Sequence, residues 1–190
     1  MTLSSAEGRA ALAALVGGVL WAAKGLGILV ADYEPEYAFA VAPFFFGIAA
    51  TGIAAKVDPA RRRAWTATTI LAVMATLAGG AAALIDVAAG DTDSFGVTVM
   101  LSVLCLLAVL IYGGWLVRHW SAIPVALAAT MLIGLPVGGA LSEIDERLLE
   151  IPLLAVALGW ILLGLTFWRD ASEPAGDTSV PASAAQSRDL

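Results

Sequence analysis

The chain carries one cysteine and one histidine, which removes most metal and redox chemistry at the outset. A single thiol, Cys105, forms no intrachain disulfide and identifies no redox compartment; set inside an apolar run, it reads as a small buried side chain. His119 alone supplies neither a zinc site nor bis-histidine haem ligation, and beside Arg118 it reads as a surface group. There is no phosphate-binding glycine loop, no HExxH, no CxxC, no GxSxG and no dinucleotide fingerprint. The one basic run, Arg61, Arg62 and Arg63, has no aromatic platform around it, so nucleic acid is not an expected partner. Asp86, Asp91 and Asp93 offer oxygen ligands, but their spacing matches no cation-binding loop. No catalytic residue, metal site or cofactor is therefore assigned, and the connectors are too short to fold into a catalytic domain.

Charge is scarce as well. Only 14 % of residues are charged against 60 % hydrophobic, and the mean hydropathy is +0.89. A soluble chain of this length needs far more polar residues to cover its surface. The apolar residues come in blocks of about twenty, the length that crosses a hydrocarbon core roughly 30 Å thick. Six such blocks are present, at about 10–30, 37–55, 65–89, 95–117, 123–141 and 151–168. The predicted fold is all-α: a six-helix transmembrane bundle with short connectors, followed by a disordered tail over 169–190. That tail is rich in Ala, Ser, Pro and Asp and has no apolar periodicity with which to offset its ordering entropy. The first block is longer than a signal-peptide core and contains Lys24, so it is expected to remain as a span.

The connectors alternate in sign. Arg9, Lys56, Arg61, Arg62, Arg63, Arg118 and Arg169 fall on one set of ends. Asp32, Glu34, Glu36, Asp91, Asp93, Glu143, Asp145, Glu146 and Glu150 fall on the other, with Arg147 the basic exception. By the positive-inside rule both termini are cytoplasmic and the acidic connectors face outward, in the plasma (cytoplasmic) membrane. Arg61, Arg62 and Arg63 oppose the dipole at a helix start by about 0.3–1 kcal/mol. Attraction to anionic lipid is worth about 1 kcal/mol for each basic residue, so headgroup contact is their expected role. Local signals place the helix ends. Ser4, Ser5 and Glu7 fit a capping box, Pro35, Pro59 and Pro152 suit first helical positions, and 143–150 fits a short interfacial helix.

Inside the spans the informative residues are small or ionisable. Ala10, Ala14, Gly18 and Ala22 repeat every four residues, beside a second row of Gly17, Trp21, Lys24 and Ile28. Thr69, Ala72, Thr76, Gly79, Ala83 and Asp86 line one face of the third span, and Thr130, Gly134, Gly138 and Ser142 one face of the fifth. Small residues let helix backbones approach in lipid, so Gly18, Gly79, Gly134 and Gly138 are expected packing positions. Pro136, between two glycines, is the candidate hinge.

Lys24 lies about six residues from the outer end of its helix. A lysine at mid-helix costs about 2.5–3.5 kcal/mol, while each Leu or Ile returns about 0.3–0.6, so the span inserts unaided. An ionisable group at that depth is a functional candidate. Its expected partner is Asp86, about 4–5 Å away in height at 1.5 Å per residue, with Asp32 or Glu36 as alternatives. The leading expectation is a non-enzymatic membrane protein working through helix–helix contacts with lipid, with copies of itself or with another membrane subunit. The competing expectation is a small transporter or channel for a cation, proton or small solute that uses Lys24 and Asp86.

Overall fold

The computed structural model describes residues 5–31, 33, 35, 37–89 and 92–172, and among these every regular element is helical. Six helices are long and apolar enough to cross a membrane: α1 (Ala6–Ala31), α2 (Ala38–Lys56), α3 (Arg62–Ala89), α4 (from Thr92), α5 (Ile123–Ser142) and α6 (Glu150–Ser172). The outward surface agrees with that assignment. Leu84 and Val97 are 70 % and 71 % exposed, and Leu77, Ile133, Leu158 and Leu162 join them around the circumference. Apolar surface on that scale needs lipid rather than water as its solvent.

Helix starts follow local chemistry more closely than periodicity. In α1 the Ser5 hydroxyl accepts the Gly8 N–H at 3.0 Å, so the cap is Ser5 rather than Ser4. Glu7 is thereby freed from a capping box and reaches Lys56. At the start of α3, Asp58 accepts the Ala60 N–H at 2.9 Å within a turn, and the helix begins at Arg62, not at Pro59. Likewise α2 begins at Ala38, three residues past Pro35, with Tyr37 at φ 61° before it. The expected interfacial helix over 143–150 shortens to a 3-10 turn, Glu146–Leu149, opened by the Asp145 carboxylate accepting the Arg147 N–H.

The helices close into a ring in which each packs on its sequence neighbours, α1 packs on α6, and α2 sits deepest. Close approach rests on glycine. A Cβ on Gly47 would lie 2.4 Å from the Thr76 Cα, one on Gly79 would lie 2.6 Å from the Phe44 N, and together they set α2 against α3. Ser102 adds a buried hydrogen bond from α4 to the Ala75 carbonyl of α3 at 2.9 Å.

One span is irregular. α4 is α-helical only to Ala108, then passes through a π-helical turn, Val109–Gly113, before a last turn, Gly114–Leu116. Gly113 and Gly114 explain its position: their missing side chains admit Thr68 and Ile53 on one side and Pro124 on the other. α5, by contrast, runs unbroken through Pro136, so the irregular turn lies in α4 and not at the expected hinge. α6 extends past Trp168 to Ser172, because Asp170 is tied to neighbouring helices. Asp93 and Ser94, expected to cap the fourth span, fall inside α4, which begins at Thr92; the C-cap expected at Gly90, and the tail from 173 onward, lie outside the described residues.

Filling these glycine contacts should be costly only where the neighbour is backbone. Gly47→Ala is expected to lower the melting temperature in detergent, because overpacking costs about 1–3 kcal/mol. Gly139→Ala, whose Cβ meets nothing within 4 Å, should leave it unchanged or raise it, since Ala exceeds Gly in helix propensity by about 1 kcal/mol. Thermal unfolding of the two variants side by side is the check.

Candidate functional site

The side chains with chemistry collect at the two ends of the bundle. One end, basic in its exposed groups, holds Arg61, Arg62 and Arg63, all exposed, with Arg118 and His119. There the Lys56 ammonium at the end of α2 bridges two carboxylates, Glu7 of α1 and Asp170 of α6, each at 2.7 Å. Asp170 also accepts the indole N–H of Trp120, whose ring lies 5.1 Å from the same ammonium. Four segments are thus tied by one lysine. The arrangement reads as a structural clamp that ties α1, α2 and α6 to the 117–121 connector. Because α1 begins here and α6 ends here, both ends of the described chain lie on the same side of the bundle.

The opposite, acidic end holds Lys24. Its ammonium is 2.8 Å from Glu150 Oε1 and 5.4 Å above the Phe39 ring. Lys24 is 8 % and Glu150 4 % exposed. Glu150 opens α6 directly after the 3-10 turn, and its carboxylate sits against Lys24 and Gly25 of α1. Its second oxygen, Oε2, is buried without any hydrogen-bond partner, next to Gly25. An unpartnered carboxylate oxygen held away from solvent is unusual, because each such group forfeits hydration without replacement.

Above the pair opens a cavity of about 730 Å³ lined by Lys24, Ile28, Ile144, Arg147, Glu150 and the neighbouring acids Asp145 and Glu146. Below it lies a second, apolar cavity of about 380 Å³ between α4, α5 and α6, with Trp21 and Phe39 as its back wall. Deeper still the axis is filled with rings. Trp21 meets Phe46 edge-on at 5.1 Å, and Phe46 stacks on Trp160 at 4.5 Å. Further along α6, Phe167 pairs with Trp120 at 5.0 Å beside the Lys56 clamp. Phe46, Trp160 and Phe167 are fully buried, an aromatic plug inside the bundle. The indole N–H of Trp160 is itself unpartnered inside that plug.

The residues singled out from sequence are distributed as follows. Lys24 meets Glu150 and not Asp86; α2 packs between α1 and α3, and Asp86 stays half-buried near the end of α3 with no ion pair to a described residue. The alternative partners Asp32 and Glu36 lie outside the described residues. Gly18 receives Ile161 and the Ala157 carbonyl of α6. Gly79 receives Phe44, while Gly134 and Gly138 receive Pro152 and Leu149. Each of these seams is thus occupied within the bundle. Glu150 was passed over because it reads as one more acid in an outward connector. Its signal was the span length: with Pro152 at the start of α6, an acid two residues earlier lies on the helix and not in the loop.

The chain matches no protein family model, no curated protein and no solved structure.

The ion pair should show as coupling. Removing either partner of a buried pair strands the other and costs about 3–5 kcal/mol. Lys24→Met and Glu150→Met should each lower detergent stability sharply, and the double variant should cost less than their sum by about 0.5–3 kcal/mol. Lys24→Met combined with Asp86→Asn should simply add. A thermal double-mutant cycle measures both, and additivity for Lys24 with Glu150 would remove the pair from the account. In the plug, Trp160→Phe keeps the ring stack and deletes an orphan donor, so it should retain the wild-type melting temperature or exceed it. Trp160→Ala should lose about 3–5 kcal/mol.

Proposed function

We propose that this is a non-enzymatic protein of the cytoplasmic membrane that works by recognition at its acidic, outward-facing end, with both termini in the cytoplasm. The observation that carries this is the placement of Lys24 and Glu150: a buried ion pair lining an open polar cavity, with Glu150 Oε2 unpartnered and buried aromatic rings deeper in the bundle. Concave sites with a few convergent polar groups are where ligands bind, and ionisable residues within spans mark functional positions.

The same geometry weighs against conduction. A permeating ion needs polar groups at successive depths, whereas the axis between Lys24 and Lys56 is occupied by Trp21, Phe46, Trp160 and Phe167. Association through small-residue seams, with a copy of itself or another subunit, is also weakened as a primary role, because Gly18, Gly79, Gly134 and Gly138 are spent inside the bundle. Any partner helix would have to use the outer apolar surface. The sidedness rests on the exposed arginines at the basic end.

Two measurements test this. With Cys105 replaced by Ala, Ile144→Cys should react with a membrane-impermeant maleimide on intact cells, and Ala60→Cys only after permeabilisation; the reverse pattern would overturn the sidedness. Proteoliposomes carrying the wild-type chain should show no proton or cation flux above protein-free vesicles. A flux abolished by Lys24→Met or Glu150→Gln would replace recognition with transport.

A further inference from the structure

Each cavity at the acidic end is incomplete alone, and they share walls. Trp21, at the back of the apolar cavity, lies one turn below Lys24 on α1. Phe39 lines the apolar cavity and carries the Lys24 ammonium over its ring. Leu149 lines the lower cavity and its chain neighbour Glu150 the upper. The polar cavity is mixed in sign, with Lys24 and Arg147 facing Asp145, Glu146 and Glu150. The lower one is lined only by apolar residues and glycine. Both volumes fall in the range of ligand sites, about 300–1,000 Å³.

The lower cavity opens sideways. Phe95, Gly96, Val99 and Met100 of α4 form one lip, and Leu135 of α5 with Leu153 of α6 the other. Met100 is 59 % exposed, and a Cβ on Gly96 would meet nothing within 4 Å. The interface between α4 and α5 is carried mostly by the π-helical turn and the last turn of α4, Gly114–Leu116, at the basic end, so the halves nearer the acidic end stand apart. An occupant can therefore enter from the surrounding lipid with its head reaching the polar cavity.

Resting on the recognition role proposed above, we infer that the two cavities form one laterally entered site for a membrane lipid whose zwitterionic head carries a primary ammonium, the chemistry of phosphatidylethanolamine. Charge complementarity selects the head. A phosphate pairs with the basic side of the upper cavity, and an ammonium with its acidic side. Glu150 Oε2, deeply buried and lacking a donor, selects among zwitterions: a primary ammonium supplies an N–H once the carboxylate turns toward the cavity, whereas a quaternary choline has none to give. One acyl chain then takes the aromatic-backed lower cavity. A wholly water-soluble ligand leaves the lower cavity unused, and a pure hydrocarbon leaves Glu150 unanswered.

The test is native mass spectrometry of the full chain in mild detergent, with phosphatidylethanolamine and phosphatidylcholine of identical acyl chains added in equal amounts. The wild type should retain the ethanolamine lipid by roughly tenfold over the choline lipid, the value of one charge-assisted hydrogen bond. Glu150→Gln should reduce that preference to near unity while binding persists. Gly96→Phe fills the lower cavity without touching the ion pair, and it should lose both lipids while keeping the wild-type melting temperature; it carries the test should Glu150→Gln fail to fold. Equal retention of the two lipids by the wild type, or undiminished binding in Gly96→Phe, overturns the lipid assignment. The recognition role itself stands or falls on the flux measurement, which neither result affects.

Discussion

The structure depends on holding its first transmembrane helix against its last, at both membrane levels. Lys24 and Glu150 are 126 residues apart, and Lys56 and Asp170 are 114 apart. Such closures are expensive early in folding but not prohibitive, because the entropy cost rises only logarithmically with loop length. In lipid there is no general hydrophobic force to draw helices together, so closure must come from packing and polar contacts. Packing is supplied by small residues: Gly18 accepts Ile161 from α6, and Gly164 of α6 accepts Leu15 from α1. The two lysines then lock the seam, one at each end. A buried ion pair contributes modest net stability but penalises mispairing heavily, since a helix docked elsewhere leaves a charge stranded.

Both lysines sit over aromatic faces, Lys24 over Phe39 and Lys56 over Trp120. Between these rings run Trp21, Phe46, Trp160 and Phe167. The ring column therefore serves two purposes. It packs large rings into a core that alanine, glycine and aliphatic side chains otherwise fill, and it supplies a negative π face to each ammonium in a setting short of water. The two ends still differ. Lys56 is shared between two carboxylates and beside an indole N–H, whereas Glu150 retains an oxygen with nothing to accept. Only at the acidic end is a carboxylate oxygen buried with nothing to accept, and that unmet demand is what a ligand can answer.

Much of the architecture was legible in the sequence, for a reason specific to membranes. A hydrocarbon slab imposes one length and one composition on every span, so six blocks of the right size declare themselves without any tertiary information. What could not be read was which spans touch. The height argument that paired Lys24 with Asp86 was sound as far as it went, but Glu150 lies at a comparable height, and only the ring closure of α1 on α6 decides between them. The Lys56 clamp was hidden for the same reason, since Glu7, Lys56, Trp120 and Asp170 come from four separate segments. The π-helical turn did have a local sign in the Gly113–Gly114 pair. Pro136, set between Gly134 and Gly138, suggested a hinge, yet α5 is α-helical through it, and membrane helices do tolerate proline.

The misplaced irregularity in α4 has a structural consequence for the acidic end. A π-helical turn adds a residue to one turn and so rotates everything beyond it relative to an unbroken helix. On the basic side of that turn, Gly113 and Gly114 hold α4 tightly to Thr68 and Pro124. On the far side, α4 keeps its attachment to α3 through Ser102 but parts from α5, exposing Phe95, Gly96 and Val99 along the cavity lip. An uninterrupted α-helix with the same glycines anchored would present a different face to α5 along its remaining turns. The opening beside Glu150 is thus traceable to a glycine pair well below it in the membrane, and the geometry of the acidic end is set from the basic one.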